Sequence, residues 1–260
     1  MSKWRPTKSG NIYVIPDIHG EVNMLNSIFN RILPLRKKDK IILLGDYIDR
    51  HINSPEVLDA LIVLKDKYQD QIILLLGNHE QMLLDGLNGD QHAFDMWIMN
   101  GGYYTALAYS NKAGLKTPPK SSKRIKGLIP KEHIEFMQGL MPYYETDDYI
   151  FVHGGCDPFI PLSDHPKEVL IWDRSLLKYV LADNDLTWRK CVITGHNATG
   201  RGEPVIKDKF MMLDCGSPKK LLVVELNSME AWMATPNKRL TKFELKETNT
   251  TKKPVFRRIS

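Results

Sequence analysis

Asp17-Ile18-His19-Gly20, Gly45-Asp46-Tyr47-Ile48-Asp49-Arg50, Gly77-Asn78-His79-Glu80, His153-Gly154-Gly155 and Gly195-His196 bring carboxylate, imidazole and amide groups together beside glycine. Such side chains bind divalent metals. A mixed nitrogen and oxygen set suits manganese, iron or zinc, whereas an all-oxygen set would favour calcium or magnesium. Any one cluster could be a turn or a helix cap, where Asp and Asn are common. All five, however, follow their own apolar run, and turns alone would not require that.

Those runs, at residues 12–15, 40–44, 71–76, 149–152 and 191–194, are β-branched or leucine-rich and have the length of buried strands. Strands lying side by side would deliver the clusters from their carboxyl ends into one crevice, where open α/β sheets place ligands. Between them, Val22, Leu25, Ile28, Phe29 and Ile32 recur at a helical period that Pro34 ends. Ser54 as N-cap and Pro55 in the first turn predict a second helix. The order β-α-β-α-β over the first eighty residues predicts a mainly parallel sheet. Residues 80–109 predict helix interrupted at Asn88-Gly89 and Asn100-Gly101-Gly102, and residues 110–126 a surface loop. A short helix follows at 131–140. Runs at 203–206, 210–213, 221–226 and 229–234 predict antiparallel hairpins forming a second sheet.

The 260 residues, 42% hydrophobic, suffice for one large core. We read 1–10 as a lead-in, 11–235 as one domain carrying all five clusters and 236–260 as a basic polar tail, disordered at least from Thr248. No run approaches the ~20 apolar residues of a membrane helix, and residues 1–10 lack the apolar stretch of a signal peptide. Three cysteines without CxxC spacing fit reduced thiols, so the expected location is cytoplasmic, with no membrane partner. The net charge of +5 comes from local runs such as 36–38, 120–126 and 252–258, which lack the interleaved aromatics of a nucleic-acid platform. Arg257-Arg258-Ile259-Ser260 has the pattern of a basophilic kinase target.

In order and spacing the clusters resemble the phosphoprotein phosphatase family of the calcineurin-like metallophosphoesterases, over residues 12–226. Trp97, Asn100-Gly101-Gly102 and Thr105 add likeness to the small bacterial and phage-type serine/threonine phosphatases. The resemblance implies an α/β fold, a four-layer αββα sandwich of two mixed β-sheets flanked by helices, with two divalent metal ions, manganese first, iron or zinc as alternatives. It implies Asp17 and His19 on the first metal, Asp46 bridging both, and Asn78, His153 and His196 completing the second. His79 would protonate the leaving oxygen with Asp49 holding its imidazole, and Arg50 and Arg174 would clamp phosphate. A water shared by two such ions loses a proton near neutral pH, so hydroxide would be the nucleophile. The substrate implied is a phosphorylated protein or peptide.

Pro16 departs from the glycine usual before the first Asp. A strand end tolerates its fixed φ and missing N–H. Glu80 after Asn78-His79 resembles the protein phosphatases, whereas dinucleoside tetraphosphatases more often have Asp. Alternatives are such a tetraphosphatase, a nucleic-acid phosphoesterase, or a silent phosphate-binding protein, which would have lost a ligand. Met96 to Met99 reads as core; His51, His92, His133 and His165 as surface or loop residues. Asp214 is read either as turning the chain or as supporting His196.

Overall fold

The apolar runs at 12–15, 40–44 and 71–76 form three parallel strands whose alternate side chains enter two different cores. The computed structural model describes residues 10–247 and the backbone of 256–258. The chain runs β1 (Ile12–Ile15), α1 (Val22–Ile32), β2 (Lys40–Leu43), α2 (Ser54–Tyr68), β3 (Ile72–Leu74), α3 (Asn78–Leu87) and α4 (Gln91–Trp97). After a kinked segment, Ile98–Gly102, come α5 (Tyr103–Lys112), α6 (Ser122–Lys126), α7 (Lys131–Gln138), β4 (Tyr143–Glu145), β5 (Tyr149–Val152), α8 (Lys167–Trp172) and α9 (Ser175–Leu181). The chain continues with β6 (Cys191–Thr194), β7 (Val205–Lys207), β8 (Phe210–Met212), β9 (Leu221–Glu225), β10 (Glu230–Ala234), β11 (Thr241–Leu245) and β12 (Phe256–Arg258).

Two mixed sheets result. One has the order β12-β11-β10-β9-β1-β2-β3, the other β4-β5-β6-β8-β7. Ile15, Ile41, Leu43, Ile72 and Leu74 pack against Leu25 and Ile28 of α1 and Leu58 and Leu61 of α2. Their alternates Val14, Ile42 and Ile73 face Phe151, Ile193 and Met211 of the second sheet. On that sheet's far face Val152, Val192 and Phe210 meet Leu170 of α8 and Leu176 and Val180 of α9. Side chains alternate across a strand, so a strand covered on both faces reads as unbroken apolar sequence. The expected four-layer αββα sandwich is therefore present.

Several expectations are corrected. The five ligand-bearing strands do not lie side by side in one sheet: β1, β2 and β3 belong to the first, β5 and β6 to the second. The late hairpins form, but β7-β8 joins the second sheet while β9-β10 pairs beside β1. Ser54 does not cap α2, which starts at Ser54 with Asn53 flanking it; its hydroxyl turns instead to the backbone of Asp49. Within the segment read as a basic tail, Thr241–Leu245 pairs antiparallel with β10 and Phe256–Arg258 with β11. At 256–258 a strand thus stands where disorder was expected from Thr248, while residues 248–255, the lead-in over residues 1–9 and the serine of the kinase-like motif lie outside the described residues. Among the described residues, no helix is long and apolar enough to cross a membrane.

Candidate metal centre

Each cluster sits where a parallel strand ends. Asp17 and His19 follow β1, Asp46 follows β2, Asn78 and His79 open α3 after β3, and His153 and His196 follow β5 and β6. Hydrogen bonds knit the two sheets at this edge: His196 N–H donates to Asp17 Oδ1 at 2.9 Å, and His153 Nδ1 to the Leu44 carbonyl at 2.9 Å. His19, Asp46, Asp49, Arg50 and His196 all have positive φ, between 49° and 75°. Strained backbone concentrated this way is a mark of functional sites. Gly77 is required by close approach, since a Cβ there would collide with Asp46 Oδ1.

Asp46 stands at the middle. Its Oδ2 lies 3.7 Å from His19 Nε2 and its Oδ1 3.3 Å from His153 Nε2. Two donor groups result, His19, Asp46 and His79 on one side and Asp46, His153 and His196 on the other, all buried. Asp17 Oδ2 stands 3.9 Å from His19 Nε2, and Asn78 Oδ1 3.0 Å from His153 Nε2. The remaining nitrogens of two histidines are fixed by carbonyls: His19 Nδ1 by Ile48 O and His153 Nδ1 by Leu44 O, each at 2.9 Å. Both rings thus turn Nε2 inward, the usual arrangement of ligating histidines.

A cation fits this set on the structure's own terms. His19 Nε2 and His196 Nε2 are buried without a hydrogen-bond partner, which an apolar or turn role would not leave. The Asn78 oxygen and the inward nitrogen of His153 are both acceptors when the ring is neutral, and a positive charge between them satisfies both. Without metal that charge is a proton. Burial would depress His153, but the neighbouring Asp46 charge outweighs it and raises the ring to about 9. Burial, with His153 nearby, lowers His196 to about 3, and burial with His79 lowers His19 well below its ordinary value. Burial and Asp214 raise Asp17, while the surrounding histidines hold Asp46 well below the usual carboxylate range against the cost of burial.

Beside this centre His79 Nδ1 donates to Asp49 Oδ2 at 2.7 Å, and its Nε2 lies 3.3 Å from Arg50 Nη2. Burial alone would lower His79; the charges of Asp46 and Asp49 and the bond to Asp49 raise it instead. Arg50 is exposed at its edge. Arg174 is exposed, and its charge adds to the lowering of His196. The structure thus links nine of the ten residues singled out from the sequence by contacts at one edge of the two sheets, and Arg174 acts on them through its charge at His196.

The structure adds a role for Glu80 that the sequence reading did not assign, and it corrects the placement of Met99 and His133. Glu80 is wholly buried and accepts from Asp46 N at 3.0 Å, Tyr47 N at 2.7 Å, Ile48 N at 3.2 Å and Gly77 N at 3.1 Å. Its place three residues after Gly77, where a glutamate returns to the first N–H of a helix, was the available signal. Burial and Asp46 raise it to about 7. Trp97 is core, as expected, but its indole N–H reaches Asp49 Oδ1 at 3.0 Å; Met99, expected in the core, is 80% exposed. His133 is buried between Tyr109 and Asp59, not on the surface. Asp214 Oδ1 accepts from Gly216 N at 2.8 Å, the turn role. All three cysteines are buried and unpaired, and burial pushes Cys156 up to about 12, which suits inert thiols.

Two stacked sheets between helices, with a paired Asp and His centre at the strand ends, define a metallophosphoesterase architecture. The sequence profile of the calcineurin-like phosphoesterases matches residues 10–211, and the chain belongs to that family. It is 33% identical over 104 residues to serine/threonine-protein phosphatase 1 of Salmonella typhimurium, covering 40% of this chain and 44% of that protein. It is 41% identical over 157 residues to the PP2A-like serine/threonine-protein phosphatase PPG1 of Saccharomyces cerevisiae, covering 60% and 36%. The matches span less than half the length of these curated relatives. In three dimensions it resembles a protein serine/threonine phosphatase from Saccharomyces cerevisiae (TM-score 0.56, 18% identity, 94% and 82% of the two chains). It also resembles a cold-active protein-tyrosine phosphatase of a Shewanella species (TM-score 0.55, 19% identity, 87% and 78%). At these identities the likeness concerns the fold.

Proposed function

We propose that this chain hydrolyses phosphomonoesters, with phosphoserine and phosphothreonine in proteins as its substrates. The observation that carries the reading is Asp46 set between two buried histidine groups, with the Asp49–His79 pair alongside. Asp17, His19, Asp46, Asn78, His153 and His196 would hold two divalent ions, which when bound supply an acidified water and neutralise phosphate charge. Arg50 and Arg174 would bind the phosphate oxygens with their planar donor forks, orienting the ester. His79, held by Asp49, would carry its proton on Nε2 and release it to the leaving oxygen as the bond to phosphorus breaks. The leaving group departs as a neutral alcohol, and water becomes the fourth oxygen of the phosphate.

The nitrogen and oxygen donor set supports manganese, with iron or zinc as other borderline choices. Relatives named serine/threonine-protein phosphatases support a phosphoprotein substrate. Three buried, unpaired cysteines support a reducing, cytoplasmic setting. The test is turnover of phosphoserine, phosphothreonine and phosphotyrosine peptides beside diadenosine tetraphosphate, with and without manganese. Manganese-dependent hydrolysis, fastest on phosphoserine or phosphothreonine, is expected. Faster turnover of the dinucleotide would overturn the substrate assignment.

A further inference from the structure

Asp49 and Arg50 hold consecutive left-handed backbones, φ 75° and 62°, which persist only where the surroundings over-determine them. One nine-residue stretch, 97–105, supplies much of that constraint. Trp97 Nε1–H donates to Asp49 Oδ1 at 3.0 Å, and the Thr105 hydroxyl donates to the same oxygen at 2.7 Å. Thr105 Oγ1 also accepts the Asp49 N–H at 3.0 Å, and the Gly101 carbonyl accepts the Arg50 N–H at 3.1 Å. In a straight helix residues eight apart are separated by about 12 Å along the axis, too far for both to reach one carboxylate oxygen readily. The kink at Ile98–Gly102, with Gly101 at φ 109°, folds the segment so that they do. Gly102 makes the seat for the indole, since a Cβ there would run into the ring.

We infer that Trp97 and Thr105 are positioning residues for proton donation. By occupying Asp49 Oδ1 they dedicate Oδ2 to His79 Nδ1, which fixes the imidazole plane and turns Nε2 toward the crevice. Asp49, Trp97 and Thr105 are all fully buried, so no solvent competes for these bonds. The inference rests on reading His79 as the proton donor.

The test compares Trp97→Phe and Thr105→Val, which remove one donor each while keeping bulk, with Thr105→Ser, which keeps the hydroxyl, and with His79→Asn. The manganese-loaded enzymes are assayed on p-nitrophenyl phosphate and on phenyl phosphate, whose poorer leaving group needs more help from an acid. In the metal-free proteins the low-field proton of His79 Nδ1–H, identified by its loss in His79→Asn, is followed by NMR. Trp97→Phe and Thr105→Val are expected to lower kcat about tenfold on phenyl phosphate, against the 10²–10⁴ of a whole general acid, and less than threefold on p-nitrophenyl phosphate. KM should stay within twofold, and the Nδ1 resonance should move. Thr105→Ser should restore both readouts. Equal loss on the two esters, or an unmoved resonance, would overturn the inference. If His79→Asn itself slows both esters equally, the proton-donor reading fails, and the resonance alone decides the positioning.

Discussion

Asp46 faces His19 with one carboxylate oxygen and His153 with the other, so a single charge serves both halves of the centre. Asp46→Asn should therefore abolish turnover and metal retention together. His79→Asn should lower kcat by roughly 10²–10⁴ while bound manganese, measured by elemental analysis, stays at the wild-type level. Equal metal loss in both variants would show that His79 is a ligand and not the acid. Glu80 gathers four backbone donors on two oxygens, and Glu80→Gln turns an amide nitrogen toward some of them. A loss of about 1–3 kcal/mol in denaturant unfolding of the metal-free protein is expected; an unchanged midpoint would mean that water replaces the bonds. The residues of the candidate centre were legible because each lies in a short motif beside a strand end. The supports were not, since Trp97 and Thr105 meet Asp49 across 48 and 56 residues.

At the scale of elements, the centre depends on two sheets being held face to face. Phe151 of β5 is fully buried in the core between them, and its backbone leads directly to His153. Phe151→Ala should cost about 3–5 kcal/mol in unfolding, whereas Val63→Ala on the exposed face of α2, 67% exposed, should stay within about 0.5 kcal/mol. Similar losses at both positions would contradict the layered packing. Strand positions were readable from apolar runs, and the late hairpins from the turn residues between them. Sheet membership was not, because a strand buried on both faces carries the same pattern in either sheet. The pairing of β9 with β1 joins segments some two hundred residues apart, which no local signal encodes.

For the whole molecule, metal and protons compete for one cavity. His153 is raised to about 9 from an ordinary 6.5, so its proton stabilises the metal-free fold below about 6.5, and that contribution is lost as pH rises through about 9. Asp17, also raised, has the same sign, whereas His19 and His196, both lowered, are already neutral near pH 7. Manganese must displace those protons, so its stabilisation should grow between pH 6.5 and 8.5. Thermal unfolding with and without manganese at both pH values checks this; an equal increment at both would contradict the competition.

The proposed reaction needs two cations held by side chains from separate strands, and crystals grown with manganese test this most directly. Anomalous scattering measured at the manganese edge should give two peaks, one on each side of the Asp46 carboxylate, about 3.5–4 Å apart. A single peak, or none beside Asp46, would contradict the paired centre.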